Sequence, residues 1–171
     1  MILETDRFIL REFDADKDAQ AMHDLNSDPD VIKYTGDHGF ENFQHAHDLL
    51  KNYPDYSKYG MGRWIMERKS DHKTVGWCGL KFHPETKLVD LGYRFYKAEW
   101  GKGYATEGAK ACLKYGFEVL GLELVYAEAA KENTASIRVI EKLGMTFWEN
   151  GTCGEYPSDK YKITKEAWLS Q

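Results

Sequence analysis

LVDLGYRFYKAEWGKGYATE, residues 88–107, is the stretch that decides the fold. Its first half alternates: Val89, Leu91, Tyr93 and Phe95 share one face, and Asp90, Gly92, Arg94 and Tyr96 share the other. That period of two predicts a strand over Leu88–Tyr96. A glycine-bearing turn follows, from Glu99 to Gly103. Beyond it the apolar stripe Ala105, Ala109, Cys112, Leu113, Gly116 and Leu120 has the 3.6-residue period of a helix, and Gly121 suits its C-terminal cap. Leu122–Ala130 is strand-like again. A strand, a helix and a second strand in this order predict a parallel, right-handed crossover.

Working outward, Arg7–Phe13 predicts a strand. Asp14 or Asp16 can cap a helix that uses Ala19, Met22 and Leu25 and stops before Pro29. A second helix fits Phe43, Ala46, Leu50 and Tyr53, ended by Pro54. Strands fit Arg63–Arg68 and Thr74–Phe82, with Asp71-His72-Lys73 as the turn between them. Downstream, Asn133 or Thr134 caps a helix with Ile137, Ile140 and Leu143 inward and Gly144 at its end. Strands at Met145–Glu149 and Lys160–Thr164 complete the chain. The expected fold is α/β: a mixed, mainly antiparallel, twisted sheet of six to seven strands flanked by about four helices. It forms one domain over residues 1–171.

The 171 residues are 42% hydrophobic and 30% charged, with a formal net charge of -5. A globular core is therefore available, and the basic stripe of a nucleic-acid binder is missing. No apolar run approaches the roughly 18–20 residues of a membrane span. MILETDRFILREF reads as a first strand rather than a signal peptide. Cys78, Cys112 and Cys153 are odd in number and far apart, which suits reduced thiols in a cytoplasm. His45 and His47 stand two apart on a predicted helix and point different ways, so no metal pair is expected.

The turn at Trp100–Glu107 carries the chemistry. A strand feeding a helix through glycines exposes backbone N–H groups at a positive helix end, which suits phosphate oxygens. It also suits a plain tight turn. A P-loop needs four residues between its first Gly and Gly-Lys-Ser/Thr, and the Rossmann fingerprint needs Gly or Ala where Thr106 stands; neither fits.

Glu99-Trp100-Gly101-Lys102-Gly103-Tyr104-Ala105-Thr106-Glu107 resembles motif A of the GNAT superfamily of acetyl-CoA-dependent N-acetyltransferases. Asn133-Thr134-Ala135-Ser136-Ile137-Arg138-Val139-Ile140-Glu141-Lys142-Leu143-Gly144-Met145 resembles its second motif. Leu3–Arg7, Val75-Gly76 and Leu91-Gly92-Tyr93 also match. The likeness spans essentially the whole chain and is closest to the Rim-type branch that acetylates the N-termini of ribosomal proteins. Trp100 departs from the family's Gln/Arg at that position.

The resemblance implies that amides from Lys102, Gly103, Tyr104, Ala105 and Thr106 cradle the CoA pyrophosphate. It implies that the edge Phe95, Tyr96, Lys97 pairs with the pantetheine arm as an added strand. The thioester would lie in a gap between the strands of Phe95 and Glu128. Asn133 would touch the cofactor arm, and its ordinary alternative role is an N-cap. Arg138 can reach the phosphates or solvent.

Amine attack on a thioester needs a neutral amine and a proton donor for the departing thiolate. Glu128 is the candidate base, with Asp90 and His38 as weaker alternatives. The family's Tyr acid, seven residues after the Asn, is Ile140 here. Ser136 matches the serine donor of the branch, and helix-turn hydrogen bonding is its ordinary alternative. Glu107 reads as structural. Tyr34, Trp64 and Trp77 can line an acceptor pocket, and Asp28, Asp30, Asp37, Glu41 and Glu155 predict a negative acceptor mouth opposite a basic cofactor mouth containing Lys102.

These readings converge on direct acetyl transfer from acetyl-CoA, with no metal, to a primary amine. The acceptor is a protein N-terminus or a small molecule such as a polyamine, amino acid or aminoglycoside. A non-catalytic acyl-CoA-binding module is the rival of another class. Both monomer and homodimer fit the sequence.

Overall fold

The computed structural model describes residues 3–171. Eight strands form one sheet in the order β1-β2-β3-β4-β5-β6-β8-β7. They are β1 (Leu3–Glu4), β2 (Phe8–Arg11), β3 (Arg63–Arg68), β4 (Thr74–His83), β5 (Leu88–Phe95), β6 (Leu124–Ala130), β7 (Thr146–Cys153) and β8 (Tyr156–Thr164). All pairings are antiparallel except β5 with β6. The helices are α1 (Ala15–Ser27), α2 (Pro29–Ile32), α3 (Phe43–Lys51), α4 (Asp55–Tyr59), α5 (Tyr104–Glu118), α6 (Thr134–Lys142) and α7 (Lys165–Leu169).

The α/β class agrees with the sequence reading, and the element count corrects it. The additional strand is β1, two residues that are too short to show a period. The helices α2, α4 and α7 are also too short for an apolar stripe. Pro29 does not simply stop α1: it occupies the first turn of α2, where its missing N–H costs nothing, and Asp28 caps it. The last two strands run longer than expected because they form a hairpin that turns at Gly154, where φ is +60°.

Strand β3 shows how the sheet separates two cores. Trp64 and Met66 join a large cluster with Leu80, Leu91, Leu113, Phe117, Val125 and Ile140. Ile65, between them, joins a smaller cluster with Ala19, Met22, Leu25, Val31 and Leu50. Alternate residues point to opposite faces, so α5 and α6 cover one face while α1, α2 and α3 cover the other. Trp64 is 1% exposed and packs edge-on against Tyr115, so it is a core residue and not a pocket wall. On the α1 face, Arg11 grips the buried Asp18 carboxylate with two bonds of 2.8 and 2.9 Å. Asp14 caps α1 through the amides of Asp16 and Lys17.

The pairing of β5 with β6 is restricted to one register point, Asp90 opposite Tyr126. On its other side β6 pairs with β8 along its full length, from Leu124 to Ala130. The two parallel strands therefore part beyond Asp90 and Tyr126. Because they run the same way, the helices that follow them, α5 and α6, begin at the same end of the sheet. Carboxyl ends of parallel strands are where open α/β sheets bind ligands.

Candidate active site

The turn before α5 is shaped by its backbone. Gly101 and Gly103 have φ of +76° and +79°, a region that L side chains rarely adopt. Gly103 caps α5 without a side-chain bond. The first helical bond runs from the Glu107 N–H to the Gly103 carbonyl at 3.1 Å. The amides of Tyr104, Ala105 and Thr106 precede that ladder and point out of the helix start. The Lys102 ammonium pairs with Glu99 at 2.9 Å, a carboxylate it shares with Arg68 at 3.0 Å.

Glu107 is structural, as the sequence reading has it. Its carboxylate accepts from Thr5 Oγ1 at 2.7 Å, the Arg7 amide at 2.9 Å and Arg7 Nε at 2.6 Å. These bonds hold its titration below the usual carboxylate range against the opposing effect of burial. Arg7 also donates to the Lys102 carbonyl at 3.0 Å, so the first strands of the chain brace the turn.

The edge Phe95–Lys97 is narrower than expected. The Tyr96 amide donates to Val75 on β4, and Lys97 begins a single 3-10 turn, Lys97–Glu99. With Tyr96 turned toward β4, strand alternation turns the Phe95 N–H and carbonyl toward the gap. That carbonyl accepts the Trp100 indole N–H at 3.0 Å. Trp100 therefore fastens the turn to the end of β5, a role its sequence position does not reveal. Of the three residues, Phe95 is thus the one whose backbone faces the gap, while Tyr96 bonds β4 and Lys97 opens the 3-10 turn.

Glu128 is half-buried, on the face of the sheet that α1 covers elsewhere. The buried Ser158 hydroxyl donates to its Oε1. Gly151 on β7 makes room for that pair, since a Cβ there would stand 2.5 Å from Oε1. Neither Ser158 nor Gly151 is marked in the sequence, since both come from the β7–β8 hairpin, which reaches Glu128 only because β8 pairs with β6. Nearby, burial pushes the Tyr126 phenol up to about 12, helped by the negative charges of Asp90 and Glu128.

Asp90 is not a base. Its oxygens stand 2.6 Å from Arg63 and 2.8 Å from His83. Burial alone would raise its titration, but the two partners outweigh burial and hold it below the usual range. The same contact raises His83 above the usual imidazole value. His38 is exposed.

Just beyond β6, Asn133 caps α6: its Oδ1 accepts the Ser136 amide at 3.3 Å. The side-chain N–H groups of Asn133 stay available as donors. The Ser136 hydroxyl lies 2.9 Å from the Tyr93 hydroxyl, which also donates to the Ser136 carbonyl at 3.2 Å. Arg138 is exposed.

On the α1 face, Trp77 lies between the guanidinium groups of Arg63 and Arg94, at 5.2 and 5.3 Å. Arg94 bonds Asn26 of α1 and pairs with Asp37 at 2.6 Å. The loop carrying Asp37 touches the β7–β8 hairpin: Gly36 meets Gly154, and Tyr34 meets Tyr156 edge-on at 5.2 Å. Of the five acids expected to make a negative mouth, Asp37 is paired with Arg94, Asp30 with Lys97 at 2.6 Å, and Asp28 is used as the cap of α2. Two of the five are thus ion-paired, while Glu41 and Glu155 are exposed.

Among the described residues no group of three His, Cys, Asp or Glu side chains is placed to hold a metal ion, and no helix is long and apolar enough to cross a membrane. The family model for the Acetyltransferase (GNAT) domain matches residues 7–146. The Bacillus subtilis uncharacterized N-acetyltransferase YoaA is 31% identical, over 96% of this chain and 97% of its own length. Spermidine N(1)-acetyltransferase of Escherichia coli K12 is 28% identical over 76% of this chain and 68% of its own. A solved GNAT-family acetyltransferase from Bacillus anthracis superposes with a TM-score of 0.81, at 28% identity, covering 97% of this chain and 99% of that one. The parted strands, the amide-lined turn and these matches agree: this chain belongs to the GNAT family and is an N-acetyltransferase that uses acetyl-CoA.

Proposed function

We propose that residues 1–171 work as one domain that transfers the acetyl group directly to a primary amine in the cytoplasm. The observation that carries this reading is the gap where β5 and β6 part, with Phe95 of β5 on one lip, Glu128 of β6 on the other, and Ser136 at the start of the helix that follows β6. Lys102, Gly103, Tyr104, Ala105 and Thr106 offer amides to the pyrophosphate. Asn133 and the Phe95 edge hold the pantetheine arm. Glu128, steadied by Ser158 on one oxygen, takes the ammonium proton with the other. The amine attacks the thioester carbonyl, the Phe95 N–H bonds the oxyanion, the attacking nitrogen gives its second proton to solvent as the intermediate collapses, and Ser136 hydrogen bonds the departing thiolate, which takes a proton from solvent.

The acceptor that suits a single carboxylate is an amine of low pKa. An α-amine with pKa about 8 is roughly one-fifth neutral near pH 7.4, whereas a lysine amine near 10.4 is neutral about once in a thousand. A protein N-terminal α-amine, the acceptor of the branch whose motifs the chain resembles, fits this. A polyamine is the second reading, favoured by the likeness to a spermidine acetyltransferase. The ion pairing of Asp30 and Asp37 supports the first, because a polycation needs several free carboxylates.

The test is thiol release from acetyl-CoA over a panel of an alanyl peptide, spermidine, free amino acids and an aminoglycoside. The peptide should turn over fastest, and no rate above hydrolysis with any amine would overturn the proposal.

A further inference from the structure

A serine hydroxyl is a far weaker acid than a thiol, so Ser136 can help a departing thiolate only by donating a hydrogen bond, not by surrendering its proton outright. Such a bond is effective only if the hydroxyl hydrogen is aimed at the sulfur when the charge develops. A free serine side chain rotates among three staggered positions, and its hydrogen turns as well. Something has to fix both. In this structure the group touching Ser136 from across the gap is Tyr93, whose hydroxyl lies 2.9 Å from Oγ and 3.2 Å from the Ser136 carbonyl.

We propose that Tyr93 is a positioning residue for the acetyl-transfer reaction: its phenol, anchored on β5, holds the Ser136 hydroxyl in the orientation that donates to the CoA thiolate. The inference rests on the role given to Ser136 above. Three features support it. Tyr93 and Phe95 stand on the same face of β5, with rings stacked at 6.3 Å, so the phenol is fixed relative to the strand end where the thioester reading places the carbonyl. Asn133 holds the Ser136 amide from the other side, at 3.3 Å. The residue is thus gripped at its amide, its carbonyl and its hydroxyl, which is more than a helix first turn needs. Finally, burial pushes the Tyr93 phenol well above its ordinary range, with the Ser136 bond offsetting part of the rise. The phenol therefore keeps its proton and remains a donor.

Either hydroxyl can be the donor across the 2.9 Å contact, and Tyr93 has a single hydrogen. In the proposed arrangement Tyr93 O–H is that donor, shared between Ser136 Oγ and the Ser136 carbonyl, which leaves Ser136 O–H to point into the gap. No proton leaves either residue. The bond between the acetyl carbon and sulfur breaks, the thiolate carries the negative charge away under the Ser136 hydrogen bond, and it takes its proton from solvent.

The experiment reads the thiolate directly and needs no acceptor. CoA is bound to the wild type, Tyr93→Phe, Ser136→Ala and the double variant, and the ultraviolet absorbance of its thiolate is followed against pH, with the CoA-free protein subtracted. A donor aimed at sulfur lowers the bound thiol's pKa. Tyr93→Phe and Ser136→Ala should each raise it by a similar amount, on the order of one unit, and the double variant should raise it no further. Calorimetric affinity for acetyl-CoA should stay within about threefold throughout, and kcat with the best amine of the panel should fall with unchanged KM for acetyl-CoA.

A shift in Ser136→Ala without one in Tyr93→Phe overturns the role of Tyr93 and leaves that of Ser136 standing. A shift in neither overturns both. A shift in Tyr93→Phe alone, or additive shifts, would mean that Tyr93 acts on the sulfur itself and not through Ser136. If Tyr93→Phe instead loses acetyl-CoA affinity or melts early, the phenol is structural and the proposal fails. Tyr93→Phe with Ser136→Thr, which keeps a hydroxyl but not its anchor, should match Tyr93→Phe alone.

Discussion

Around Gly101–Thr106 the groups facing the cofactor end of the sheet belong to the backbone: amides at a helix start, held open by two glycines of positive φ. Around Glu128 and Ser136 they belong to side chains, each held by a partner distant in sequence: Ser158 and Gly151 for one, Tyr93 for the other. The turn is a local device. The gap is an assembly of β5, β6, α6 and the β7–β8 hairpin. Substitutions should therefore separate the two regions cleanly, with affinity for acetyl-CoA tracking the turn and turnover tracking the gap.

The largest effect is expected at Glu128. A general base contributes about 10²–10⁴ in rate, so Glu128→Gln should lower turnover by at least about a hundredfold near neutral pH. Acetyl-CoA affinity by calorimetry should hardly change. The loss should shrink as pH approaches the amine's own pKa, where solvent leaves more of it neutral. A pH–rate profile that is merely scaled down would remove Glu128 as base, and a parallel loss of acetyl-CoA affinity would break the division between the regions.

Gly151→Ala tests whether the hairpin really sets the base. Its Cβ would arrive 2.5 Å from Glu128 Oε1 and 3.0 Å from Ser158 Oγ. Both side chains must shift, and a misplaced catalytic group costs on the order of tenfold to a hundredfold. Turnover should drop within that range while acetyl-CoA affinity and melting temperature hold. Wild-type turnover in this variant would show that Glu128 adapts freely, and the gap would be less preorganised than its contacts imply.

The same contrast explains what could be read from sequence. The strand Leu88–Phe95, the turn and α5 lie consecutively, and their periods and glycines are local signals, so they were legible almost residue for residue. Glu128, Ser136 and Asn133 were reached by matching spacing to a family. Ser158 and Gly151 have no such signal, and Tyr93 lies in the family-matched step Leu91-Gly92-Tyr93 without a role attached, because their contacts come from β8 pairing with β6 and from α6 reaching across to β5. Short elements such as β1, α2 and α4 were missed because two to five residues carry no period. Part of the acidic mouth is countered for a related reason: charges can be counted along a chain, but Arg94 meeting Asp37 and Lys97 meeting Asp30 are visible only once the helices are docked.

At the turn, Gly103→Val should lower acetyl-CoA affinity at least about tenfold, or ~1.4 kcal/mol, in a folded protein. A β-branched residue at φ of +79° is strained whatever space surrounds it, and relief of that strain reorients the amides of Tyr104 and Ala105. A cofactor saturation curve that is unchanged would take the pyrophosphate away from this turn. A pure turnover defect would move the turn into the same class as the gap.

The smallest effect concerns salt on the acceptor side. Attraction of a cationic amine by several free carboxylates would weaken as the Debye length falls from ~10 Å at 0.1 M to ~3 Å at 1 M. Here Asp30 and Asp37 each stand 2.6 Å from a cation, and Asp28 is tied to the Asp30 amide at 2.9 Å. A carboxylate beside its own counter-charge presents a dipole, whose field decays faster with distance than that of a charge and gives salt little to screen. An amine that Glu128 deprotonates as proposed is in contact range of it and shielded from mobile ions. The Michaelis constant for the best amine, measured with acetyl-CoA saturating, should therefore change by less than about twofold between about 0.1 and 1 M salt. Asp37→Asn, which frees Arg94, should make it fall modestly with salt as repulsion of the amine is screened. A steep rise in the wild type would show that the ion pairs open when the acceptor arrives and that charge, not the shape made by Tyr34, Tyr156 and Trp77, selects it.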